Sequence, residues 1–145
     1  MLLHVLVATL VTAAPHGASP APAQARASSG ILTLVTGGDS ALTFTLDSSS
    51  LTYTVTTAAD DVAFTSHGAE GRGFAYSAGG KTYTLADPAD GLVRLGGPYN
   101  ASGRDATGSY AGVGVNFTRR SSGKVEWIAT VKAYMDRPAL VFAQT

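Results

Sequence analysis

The chain has 145 residues, ten of them basic and ten acidic, for a formal net charge of zero. A nucleic-acid-binding protein carries a basic excess, and none is present here. Cysteine is absent, which excludes a disulfide framework, a thiolate metal site and a cysteine nucleophile. Charged residues make up only 14% and hydrophobic residues 45%. Polarity comes from Ser, Thr and Gly, a balance that favours strands and turns over charged helical surfaces.

Leu2 to Val11 forms an apolar run. It is too short to cross a bilayer as a helix, which takes about 20 residues, and it matches the hydrophobic region of a signal peptide. Pro15, Gly17, Pro20 and Pro22 then stop any helix. Ala23-Gln24-Ala25 is a small-x-small cleavage pattern that leaves Arg26 as the new start; Thr12-Ala13-Ala14 is an alternative cut. The expectation is a signal peptide over 1–25 and one domain over 26–145, hence a secreted product with no membrane segment after cleavage. The other reading is a disordered Ala/Pro tail on a cytosolic protein.

From Ile31 onward, short β-type runs alternate with turn clusters. Ile31 to Thr36 precedes Gly37-Gly38-Asp39-Ser40. Ala41 to Leu46 sets Leu42, Phe44 and Leu46 on one face and Thr43 and Thr45 on the other. Leu51, Tyr53 and Val55 alternate with Thr52, Thr54 and Thr56. Such a period of two marks half-buried strands. Val62 to Thr65 and Phe74 to Ser77 are shorter candidates, and Gly79-Gly80 turns the chain into Lys81 to Leu85 as a hairpin. Asp87-Pro88-Ala89-Asp90-Gly91 is a turn, Leu92 to Leu95 a short strand, and Gly96 to Gly108 a long polar loop.

The last third is the most regular. Tyr110 to Thr118 places Val113, Val115 and Phe117 on one face. Val125 to Tyr134 places Val125, Trp127, Ala129 and Val131 together, with Tyr134 on the opposite face. Ala139 to Phe142 is a final apolar strand that reads either as a sheet edge or as the last strand before a missing one. The fold expected is all-β, an antiparallel sandwich, incomplete at its carboxyl end on the second reading.

Both asparagines of the chain stand in glycosylation sequons, Asn100-Ala101-Ser102 and Asn116-Phe117-Thr118. Asn100, in a polar segment, is the better acceptor; Asn116 lies within a strand. His67 and Glu70 near Asp60 and Asp61 are the one local group of metal-capable side chains, and their spacing matches no ligand pattern. Asp87, Asp90, Asp105, Glu126 and Asp136 are carboxylates of the kind that sugar chemistry uses, but most stand at turns, where Asp bonds its own backbone. No serine stands in a Gly-x-Ser-x-Gly elbow. Trp127 shares a face with apolar neighbours and reads as core, whereas Tyr134, and after it Tyr83, are candidates for an exposed ring that contacts sugar. No cofactor motif is present.

Residues Gly103-Arg104-Asp105-Ala106-Thr107-Gly108-Ser109-Tyr110, Val125-Glu126-Trp127-Ile128-Ala129-Thr130 and Asp136 to Thr145 carry a resemblance. The Asp-x-x-Gly-x-Tyr loop, the aromatic-bearing strand and the apolar strand ending in Phe-x-Gln resemble the amino-terminal β-sandwich of secreted glycoside-hydrolase-like proteins related to the α-galactosidase and raffinose-synthase group. The resemblance covers about the last 45 residues of the 145. It implies a non-catalytic accessory sandwich whose partner is a catalytic barrel absent from this chain, with carbohydrate as the ligand class. The alternatives are a free-standing carbohydrate-binding or cell-surface module and a structural secreted protein without a ligand.

Overall fold

A computed structural model describes residues 6–8, 24–28, 30–57, 63–66 and 74–145. The architecture is all-β and antiparallel. Thirteen strands are described: β1 (Leu6–Ala8), β2 (Gln24–Ser28), β3 (Ile31–Val35), β4 (Leu42–Asp47), β5 (Tyr53–Thr57), β6 (Ala63–Thr65), β7 (Ala75–Ala78), β8 (Lys81–Thr84), β9 (Leu92–Arg94), β10 (Tyr99–Arg104), β11 (Ser109–Arg119), β12 (Trp127–Tyr134) and β13 (Leu140–Gln144).

They form three sheets. A five-stranded meander runs β2-β3-β4-β5-β6, and a six-stranded sheet runs β1-β13-β12-β11-β10, with β9 also on β11. Strands β7 and β8 make a separate hairpin. The alternation read from the sequence sets the layers. On β4, Leu42, Phe44 and Leu46 are buried while Thr43 and Thr45 between them are not. Val113, Val115 and Phe117 of β11, and Trp127, Ala129 and Val131 of β12, meet the meander's Leu34, Phe44 and Leu46 in one core. Two sheets each hiding one face in this way make a sandwich.

Aromatic rings bind the layers. Phe142 of β13 packs 5.9 Å from Phe44 and 5.5 Å from Tyr53. Trp127 lies between Phe117 and Tyr76, at 4.4 and 5.3 Å, so the β7–β8 hairpin closes one end of the core. Three polar ties reinforce the packing. Gly37 N–H donates to the Tyr134 carbonyl at 2.9 Å, Arg94 donates to the Ser48 carbonyl, and the Gln144 amide donates to the Ala75 carbonyl at 3.3 Å.

Three features differ from the sequence reading, and a fourth bears on the surroundings of the last apolar strand. Residues within the expected 96–108 loop form β10, an edge strand with little apolar content because it covers no core. Val125, expected to share Trp127's face, is 46% exposed, since β12 begins only at Trp127. Leu51 precedes β5 rather than opening it; it sits in the turn with φ 57° and still buries its side chain. Strand β1 falls within the apolar run read as a leader and pairs with β13, so the last apolar strand lies between β12 and β1.

Candidate functional site

The face of the six-stranded sheet turned away from the core is the most distinctive surface. Strand register arranges it in rows: Tyr99, Gly114, Thr130 and Ala143 form one, and Ala101, Gly112, Lys132 and Val141 the next. A third joins Gly103, Tyr110 and Tyr134.

In the first row an aromatic ring lies down on a glycine. A Cβ added to Gly114 would stand 2.3 Å from Tyr99 Cζ and 2.5 Å from its Cε2. The ring therefore occupies the space of the missing side chain. Tyr99 nevertheless keeps 40% of its surface exposed. One side of the ring is seated on the sheet and the rest faces solvent. Beside it stand Thr130 and, one row further, Asn116, whose Oδ1 is buried and has no hydrogen-bond partner among the described residues.

The polar end of the face is a closed network. Lys132 Nζ and Tyr134 Oη each donate to Asp105 Oδ2 at 2.8 Å, and Thr107 N–H donates to Asp105 Oδ1 at 2.9 Å. The Lys132 ammonium bond, with that of Tyr134 second, holds the Asp105 carboxyl at about 2. The same carboxylate holds the Lys132 ammonium above its ordinary value. Burial first, and then Asp105, pushes the Tyr134 phenol up. Lys132 also stands 4.6 Å over the Tyr110 ring. The loop of the Asp-x-x-Gly-x-Tyr pattern is thus a tight hairpin turn: Asp105 and Gly108 exchange backbone hydrogen bonds, and Gly108 takes φ 147°, which side-chain-bearing residues rarely adopt.

Tyr134 does not have the exposure expected of a sugar-contacting ring. It is on the predicted face, but the Asp105 turn and the Tyr110 ring cover it, leaving 1% exposed. Tyr83 is also buried, with Lys81 4.8 Å and Arg119 5.7 Å from its ring centroid. Sequence reasoning missed Tyr99 because it stands in a segment read as loop. The one available signal was Gly114 on a regular strand, where a missing side chain marks a close approach.

The two sequons have different settings. Asn100 is exposed on the edge strand β10. Asn116 lies midway along β11, and its sequon partner Thr118 is buried, donating its hydroxyl to the Arg119 carbonyl at 3.1 Å. The group Asp60, Asp61, His67 and Glu70 lies outside the described residues.

Away from this face, a concavity of about 230 Å³ is lined by Tyr76, Ala78, Tyr83, Arg119 and Glu126. Arg119 forks onto Glu126 with bonds of 2.6 and 2.9 Å. That fork holds the Glu126 carboxyl at about 2. The other candidate carboxylates are engaged as well. Asp87 accepts from Ala89 N–H, Asp90 from Ser121 and Lys81, and Asp136 from Arg137. Held low by such partners, Glu126, Asp90 and Asp136 suit structural ion pairs better than proton transfer near neutral pH.

Fold and face together define an antiparallel β-sandwich with one nearly uncharged outer face and one seated, exposed aromatic ring on it. No protein-family model, no curated protein and no solved structure matches the chain.

Proposed function

We propose that this chain is a secreted, non-catalytic accessory sandwich of a carbohydrate-active protein, and that it meets neutral sugar through the outer face around Tyr99. The observation that carries the reading is the Tyr99 ring laid across Gly114 with its far side open. Such a platform suits the C–H face of a pyranose, because an apolar ring already fixed in place loses little side-chain entropy on binding. The single cation on the three rows, Lys132, is neutralised by Asp105, which favours an uncharged ligand over an acidic one. The likeness of residues 103–145 to glycoside-hydrolase-like sandwiches points the same way and implies a catalytic barrel as the partner domain. The engaged carboxylates fit an accessory role.

A free-standing carbohydrate-binding module is the second reading. The core that the two sheets close between themselves, with no second domain contributing to it among the described residues, favours it. Both readings are tested by screening the secreted chain on an array of neutral oligosaccharides, with Tyr99→Ala as the control. Binding that Tyr99→Ala removes is the expected result. An array without any bound glycan would leave the structural, ligand-free reading in its place.

A further inference from the structure

We infer that the outer edge of β13 is a strand-acceptor site, filled in this chain by its own residues Leu6–Ala8 and, once these are removed, by β13 of a second copy. The inference rests on the secretion reading for the removal of the leader. Both cleavage positions legible in the sequence, after Ala14 and after Ala25, take β1 away.

The register supplies the argument. Strand β1 pairs antiparallel with β13 as Leu6↔Phe142, Val7↔Val141 and Ala8↔Leu140. The acceptor strand reads Leu140-Val141-Phe142, and its occupant reads Leu6-Val7-Ala8. The strand therefore carries the same Leu-Val step as its own occupant. Two copies of β13 related by a two-fold axis at Val141 would place Val opposite Val and Leu opposite Phe. Two of the three pairs made by β1 are then reproduced residue for residue. A two-fold axis requires such a self-complementary strand.

The edge also lacks the devices that keep edges apart. Strand β13 is Leu-Val-Phe-Ala-Gln, without charge, proline or glycine. An uncharged apolar edge with open backbone groups is a template for another strand. An aromatic row leads outward from it. Phe142 packs 5.5 Å from Tyr53, and Tyr53 packs 6.2 Å from Phe64. Phe64 is 59% exposed, the most exposed large apolar side chain among the described residues.

The test is to secrete the chain from eukaryotic cells, read its amino terminus by intact mass, and measure its molecular mass by sedimentation over a range of protein concentrations. A processed chain is expected to double its mass as concentration rises. Val141→Glu stands on the outer face across from Lys132 in its own copy, where its partly exposed side chain stays hydrated, but it sets two carboxylates against each other on the two-fold axis. It is expected to leave the processed chain monomeric with an unchanged circular dichroism spectrum. A processed chain that stays monomeric overturns the inference, and so does a Val141→Glu chain that still doubles. If intact mass shows residues 1–25 retained, the leader reading fails by itself. The edge is then tested in the full chain with Val7→Pro, which unseats β1. A doubled mass supports the acceptor site, and an unchanged mass overturns it.

Discussion

Tyr99 and Gly114 are cross-strand partners, and the ring of the first fills the volume that any side chain on the second would claim. The platform therefore depends on an absence. Gly114→Val should lift the ring off the sheet. Because Tyr99 is partly exposed, solvent can take up the displaced ring, and the loss of stability should stay near the low end of the ~1–3 kcal/mol typical of overpacking. Glycan binding should fall at the same time. Chemical denaturation and titration of the same variant check the two halves of this expectation.

Leu51 combines a buried side chain with a left-handed backbone at φ 57°. That conformation costs a residue with a side chain about 1–2 kcal/mol, and truncating a buried leucine costs about 2–5 kcal/mol. Both Leu51→Ala and Leu51→Gly should destabilise the fold, but glycine should be the milder of the two by up to about 1 kcal/mol. Elsewhere the order is reversed, since glycine in regular structure is about 0.5–1 kcal/mol worse than alanine. Urea midpoints of the two variants decide it.

Asp105 and Glu126 have carboxyls held at about 2 in the folded chain, against ordinary values of 3.8 and 4.5. Depressed in this way, each contributes stability that is complete above its ordinary value and is lost as pH falls toward 2. The melting temperature should therefore hold level near neutral pH and drop between about pH 4.5 and 2. Asp105→Asn should lower the plateau at neutral pH and flatten the acid limb. Thermal melts at several pH values read this directly.

The settings of the two sequons predict unequal use. Asn100 is exposed on an edge strand, whereas Asn116 lies within β11 and its Thr118 is buried. In a eukaryotic host, Asn100→Gln should remove one glycan mass and Asn116→Gln none. Intact mass before and after glycosidase treatment checks both.

Much of this fold was legible because its strands are half-buried. The alternation of Leu42, Phe44 and Leu46 with threonines, and of Val113, Val115 and Phe117 with smaller residues, reports directly which face meets the core. Edge strands send no such signal. Strand β10, Tyr-Asn-Ala-Ser-Gly-Arg, hides little of itself and reads as loop. The site was harder for the same reason. Period two placed Tyr134 on the outer face, but the cover supplied by the Asp105 turn and the Tyr110 ring is a contact between distant segments that periodicity does not encode. Tyr99, in the segment without a pattern, is the ring left open.

The most direct test of a sugar-contacting face is calorimetric titration of the secreted chain and its Tyr99→Ala variant with the best neutral oligosaccharide from the array. Loss of a stacking ring worth about 1.4 kcal/mol weakens affinity tenfold. The reading predicts a loss of at least about that size, with the melting temperature of the variant close to that of the parent. Equal affinity in the two chains would contradict it and move any sugar contact away from Tyr99.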